Sequence, residues 1–222
     1  MTEIPSGELI LPLFPLPNVV FFPGTRLPLH VFEPRYRRMV TDALAGQERL
    51  GVILLKPGWE ADYYGTPAIH DYGTLGTIEQ AVSLDDGRYN VLLRGDVRFR
   101  IVEPLEEAPY RVARVLAVPE LNGDPMANLG QREWLVELSR RYLDLVQADD
   151  KEVPELETAT LDSLTNALIM SLNLHVEEKQ QLLEIDELIE RADRIADELH
   201  KRIENLSFLA PFRRTGNDPS RN

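Results

Sequence analysis

Apolar and polar positions change rhythm once along this chain. Before about residue 120, short runs rich in Val, Ile and Leu are separated by Pro, Gly and Asp-Gly breaks. That spacing predicts strands at Leu9–Phe14, Arg26–Phe32, Leu50–Leu55, Gly76–Leu84, Arg88–Leu93, Arg98–Val102 and Tyr110–Val118. Asp85-Asp86-Gly87 lies between two of these runs and predicts a hairpin turn, with Gly87 free to take positive φ. The one strong helical pattern in this part is Pro34–Leu44. Pro34 suits the first turn, where its missing N–H would be unpaired anyway, and Gly46 is placed to stop the helix.

After the breaker Asn122-Gly123-Asp124-Pro125 the period becomes helical. Leu135, Leu138, Tyr142 and Leu145 form one stripe, and Leu161, Leu164, Leu168 and Leu172 a second. The third is the most regular: Leu182, Ile185, Ile189, Ala192, Ala196, Leu199, Ile203 and Leu206 alternate steps of three and four. The expected organisation is therefore a β-rich part over 1–122, a helical bundle over 126–210 and a flexible tail over 211–222. The long seam fits an intermolecular coiled coil or a face buried within the bundle. Two matching stripes in the same chain favour burial.

Charge and composition narrow the function. The 222 residues carry a formal net charge of −13 and no cysteine. A chain this acidic repels phosphate backbones, which argues against nucleic acid as a partner. Without cysteine there are no disulfides, thiolate nucleophiles or thiolate metal sites. The apolar runs are too short to span a bilayer, and the amino terminus lacks a basic cluster. We therefore expect a cytoplasmic protein with no membrane partner.

The sequence carries no recognisable constellation for catalysis. No Gly-rich segment continues into Gly-Lys-Ser/Thr, and no Gly-x-Ser-x-Gly elbow is present. His30, His70, His175 and His200 have no partners at metal-ligand spacing. Asp85 and Asp86 read as turn formers rather than an acid–base pair. Arg94-Gly95-Asp96 spells an adhesion tripeptide, but between two candidate strands it reads as a turn. The expectation is a non-enzymatic protein with no catalytic residues, no metal and no cofactor.

Several ordered segments carry a resemblance. Leu11-Pro12-Leu13-Phe14-Pro15-Leu16-Pro17-Asn18-Val19-Val20-Phe21-Phe22-Pro23-Gly24 resembles the opening of the Lon protease amino-terminal domain, and it runs into Leu27-Pro28-Leu29-His30-Val31-Phe32-Glu33-Pro34-Arg35-Tyr36. Gly73-Thr74-Leu75-Gly76-Thr77-Ile78, Asp86-Gly87-Arg88-Tyr89 and Gly95-Asp96-Val97-Arg98-Phe99-Arg100-Ile101 are similar to later strands. Glu177–Glu184 is similar to the start of the family's final helix. The resemblance implies an α+β fold: a PUA-like, twisted and partly closed β-subdomain with one helix, followed by an α-helical bundle. It also implies a stand-alone substrate-binding domain without the ATPase and Ser–Lys protease parts, one that captures peptides or partly unfolded proteins in protein quality control. Assembly through the bundle, as a homo-oligomer or scaffold, is the alternative.

Within the β-rich part, the connection Lys56–Tyr72 reads as the longest irregular segment. Its aromatics Trp59, Tyr63, Tyr64 and Tyr72 are the candidate peptide-binding residues, since rings on a polar loop offer adaptable contact area. The competing reading is that these rings cap an open end of the barrel. Glu33 has two candidate partners, Arg35 and Arg98, between which the sequence does not choose.

Overall fold

The computed structural model describes residues 7–63, 65–105, 109–121, 128–146 and 158–213. Tyr64, the breaker at 122–125 and positions 214–222 of the tail lie outside the described residues. Strands β1 (Glu8–Leu16), β2 (Arg26–Val31), β3 (Arg49–Leu55), β4 (Ile69–Ser83), β5 (Tyr89–Leu105) and β6 (Arg111–Val118) are joined by helices α1 (Pro34–Leu44), α2 (Leu129–Val146), α3 (Leu161–Ser171), α4 (Val176–Glu184) and α5 (Leu188–Arg213). The fold is α+β, and α5 continues to Arg213, past the expected end at 210.

The strands lie in the order β2-β5-β4-β3-β1-β6, and β6 also pairs with β5. Strands β1, β3, β4, β5 and β6 thus close into a barrel, while β2 pairs with the first part of β5. Among the described strands only β1 and β3 run parallel, across the connection that carries β2 and α1. The side-chain period of two sends Leu11 and Leu13, Ile53, Leu75, Val97 and Phe99, and Ala113, Val115 and Ala117 into the barrel interior. Phe99 needs room there, and Gly51 and Gly73 supply it by presenting bare backbone to its ring. On the outer side, α1 buries Tyr36, Met39, Val40 and Ala43 with Phe14, Leu50, Val52 and Leu93.

Seven expected strands become six. Arg88–Leu93 and Arg98–Val102 are one strand, and Arg94-Gly95-Asp96 lies inside β5 rather than in a turn. The tripeptide spans a register shift against β4 between Leu75 and Gly76. Gly95 N–H donates to the Thr25 carbonyl oxygen and its own carbonyl accepts from Gly24 N–H, both at 2.9 Å. Those partners come from the β1–β2 connection, so the local turn signal of Gly and Asp is overruled by a distant segment.

The chain divides into two compact units, Met1–Glu120 with Ile169–Asp186, and Leu121–Leu168 with Glu187–Asn222. Helix α4 therefore groups with the barrel, although the helical period alone places it in the bundle. His175 caps it: its ring Nδ1 accepts from Glu177 N–H while Glu178 Oε2 accepts from His175 N–H at 2.9 Å. Leu182, Leu183 and Gln180 are buried, and Gln180 Nε2 donates to the Tyr72 carbonyl oxygen at 3.2 Å. The expected continuous seam breaks at Ile185–Glu187. Leu182 belongs to α4, Ile189 is exposed, and the buried stripe of α5 is Leu188, Ala192, Ile195, Ala196, Leu199 and Ile203. Residues 177–184 are accordingly a short separate helix, not the start of the last one. In the second unit α5 packs on α2, where Leu135, Val136 and Leu138 are buried. Among the described residues no helix is long and apolar enough to cross a membrane.

Candidate functional site

A cleft of about 850 Å³ opens at one end of the barrel. Leu13, Ile69, Ile101 and Ala113 line it from β1, β4, β5 and β6. Its lining also takes in Gly65, Thr66, Pro67 and Ala68 of the loop before β4, and Pro104, Leu105, Pro109 and Tyr110. The loop is fixed at both ends. Lys56 N–H donates to the Ala68 carbonyl oxygen at 2.8 Å, and Asp62 accepts from Gly65 N–H at 2.9 Å and from Thr66 N–H at 3.0 Å.

Arg111 also lines the cleft. It pairs with Leu13 across the β1–β6 ladder and precedes Ala113 by two residues, so it takes an inward position in a barrel whose other β6 inward residues are apolar. Its Nη2 donates to the Pro67 carbonyl oxygen at 2.6 Å. Burial pushes the Arg111 guanidinium below its ordinary pKa. The Arg35 charge acts in the same direction, against Tyr36 and Asp62.

Arg35, on the first turn of α1, lines both the cleft and a small recess beside it that also holds Pro15, Tyr36, Leu55, Tyr63, Pro67 and Arg111. The structure decides between the two partners expected for Glu33. Arg35 Nε donates to Glu33 Oε2 at 3.1 Å, and the guanidinium lies 4.7 Å from the centre of the Tyr36 ring. Arg98 is instead fully buried beside α4 and pairs with Glu120 and Asp186 at 3.4 and 3.3 Å.

The predicted aromatics are divided. Residues 59–62 form a 3₁₀ turn, and Trp59 meets Tyr63 edge-on with ring centres 5.6 Å apart. Tyr63 OH donates to Glu33 Oε1 at 2.8 Å, which draws its ring into the recess beside the cleft. Tyr72 is not with them: β4 begins at Ile69, three residues before the expected end of the loop, and Tyr72 pairs with Arg100 in the sheet. The feature that sequence reasoning missed is the arginine pair, because Arg111 at a strand start carries no local sign that it points inward. Among the described residues, no group of three or more His, Cys, Asp or Glu could hold a metal ion.

A family model described as the ATP-dependent protease La (LON) substrate-binding domain matches residues 10–201. The chain belongs to this family. It is 30% identical over 216 residues to the Lon protease of Anaeromyxobacter dehalogenans, covering 93% of this chain and 24% of that protein. It is 32% identical over 218 residues to the Lon protease of Paraburkholderia phytofirmans, covering 92% of this chain and 26% of that protein. The chain thus spans about a quarter of the length of these curated Lon relatives. The crystal structure of a Lon N-terminal domain protein from Xanthomonas campestris superposes with a TM-score of 0.61 at 27% identity, covering 84% of this chain and 96% of that one. The N-terminal domain of the Mycobacterium avium complex Lon protease has the same fold, with a TM-score of 0.68 at 18% identity over 86% of this chain and 98% of that one.

Proposed function

We propose that the open end of the barrel binds extended peptide or partly unfolded protein, so that the chain works as a non-catalytic capture module or adaptor in protein quality control. The observation that carries this reading is the cleft, in a chain of the Lon substrate-binding family: an apolar floor of Leu13, Ile69 and Ile101, with Arg35 and Arg111 to one side. Clefts of a few hundred to a thousand Å³ with an apolar lining and a few polar groups are the ordinary form of ligand sites. Trp59 and Tyr63 extend the apolar surface next to the recess and serve as flanking anchors. Tyr63 serves also as a structural lid through Glu33.

Ala68 tests the reading, because it is exposed on the cleft wall and its side chain can be enlarged without entering the core. Binding of fluorescently labelled casein, an unstructured protein, is followed by anisotropy for the native chain and for Ala68→Trp. The variant should keep its melting temperature and bind at least about tenfold more weakly, the loss expected when a central contact is blocked. Unchanged binding by a folded Ala68→Trp would place the site elsewhere.

A further inference from the structure

The two arginines ask for more than an apolar peptide. We propose that Arg111, with Arg35 beside it, receives the free carboxyl terminus of the bound chain, and that the apolar floor receives the last side chain. This rests on the reading of the cleft as a peptide site and adds which part of the peptide it takes.

The first argument is the position of Arg111. Inward places in a small barrel are filled by apolar residues, and β6 follows that rule at Ala113, Val115 and Ala117. A cation at the next place out loses hydration. Its hydrogen bond to the Pro67 carbonyl oxygen occupies one of five N–H donors. Arg35 contributes a second cation to the same cleft, with its Nε on Glu33 and its Nη2 on the Tyr63 carbonyl oxygen at 3.3 Å. Two guanidinium groups lining one part-buried cleft repel each other. An anion between them relieves that repulsion, and a carboxylate matches the planar fork of either.

The second argument selects the kind of anion. At a net charge of −13 the protein repels polyanions at long range, whereas a single charge at the end of a chain meets little opposition. The lining next to the arginines is apolar, including Ile69, Ile101 and Leu105. At a chain terminus the carboxylate and the final side chain leave the same carbon atom, so one can meet Arg111 while the other meets the floor. An Asp or Glu side chain fits less well. Reaching the arginines with its carboxylate brings its own backbone amides onto an apolar surface, where they go unpaired.

The test uses three labelled versions of one short, unstructured, basic-apolar peptide. The first ends in Leu with a free carboxylate, the second in Leu amide, and the third in Leu amide preceded by Glu. Affinities are measured on the native chain and on Arg111→Gln. Hydrogen bonds to charged groups predict about tenfold or more tighter binding of the free acid than of either amide. Arg111→Gln should bring the acid down to the level of the amide and leave the amide unchanged. If Arg111→Gln does not fold, the comparison of acid with amide on the native chain decides alone.

Equal binding of acid and amide, both displaced by casein, would overturn the carboxylate proposal and leave the peptide-binding reading standing. If the Glu-containing amide binds as tightly as the acid, the cleft takes any carboxylate and the assignment to the terminus fails. If neither the peptides nor casein bind, the underlying reading fails, and the proposal with it.

Discussion

Arg98 Nη1 donates a 2.9 Å hydrogen bond to the carbonyl oxygen of Leu183, tying the middle of β5 to the end of α4. The same nitrogen lies 2.8 Å from the Ile185 carbonyl oxygen. These carbonyls stand at the C-terminus of α4, where no following turn of helix can pair them, and a cation there also meets the negative end of the helix dipole. Arg98 thus holds α4 on the barrel unit.

Arg98→Leu should cost the first unit about 3 kcal/mol, as expected when one partner of a buried charged network is removed. The loss should be local as well as global. Amide hydrogens of residues 176–184 should exchange faster than those of β3 in the variant, measured by hydrogen–deuterium exchange. Equal protection of the two segments would show that Arg98 contributes only to general stability.

The glycines against Phe99 give a second, graded test. A methyl group added at Gly51 would stand 2.8 Å from Leu13 Cδ2 and 3.0 Å from Phe99 Cε1. At Gly73 it would also run into the Val52 carbonyl oxygen, which cannot rotate away. Both Gly→Ala changes should destabilise by about 1–3 kcal/mol, with Gly73→Ala the worse. Adding Phe99→Leu should recover part of the loss in Gly51→Ala and little in Gly73→Ala. Urea midpoints of the five proteins check the order.

Where signals are local, the sequence is a good guide to this fold. The alternation of Leu9, Leu11 and Leu13, the turn at Gly87 and the start of α1 at Pro34 are each settled within a few residues. Errors arise where a distant partner decides. The backbone of Gly24 and Thr25 turns Arg94-Gly95-Asp96 into strand. The seam is broken by residues 185–187, yet steps of three and four persist across them, so Ile189 keeps the count while facing outward. Of the candidate cleft, the sequence shows the loop that borders it, which does so through Gly65–Ala68, but not Arg111, whose direction comes from pairing with Leu13.

That seam yields a third prediction. Leu199 is fully buried, whereas Ile189 is exposed on the same helix. Leu199→Asp should cost about 3 kcal/mol or more by burying an unpaired carboxylate, and should lower the helical signal of the second unit on mild heating. Ile189→Asp should stay within about 0.5 kcal/mol, as exposed substitutions usually do. Sedimentation equilibrium of native protein and Ile189→Asp at several concentrations then asks whether the outward face associates. A concentration-dependent mass abolished by Ile189→Asp would favour assembly through the helices, without the ambiguity of an unfolded variant.

The bond from Tyr63 to Glu33 makes a prediction about alkaline pH. Donation to Glu33 Oε1, helped by partial burial and by the Glu33 charge, pushes the Tyr63 hydroxyl up from its ordinary value of 10.0 to about 12. The folded protein therefore holds this proton more tightly than the unfolded chain does. Below pH 10 both states keep it, and the bond contributes in full. As pH rises from 10 towards 12 the unfolded state ionises first, so the contribution shrinks. Tyr63→Phe removes it at every pH. Near neutral pH the variant should be less stable by about 1 kcal/mol, a modest figure because the hydroxyl is only partly buried. Between pH 10 and 12 the difference should close. Paired urea titrations at neutral pH and at several alkaline values measure it. A difference that stays constant across that range would mean the Tyr63–Glu33 bond does not hold the lid in solution, and the recess beside Arg35 and Arg111 would then stand open.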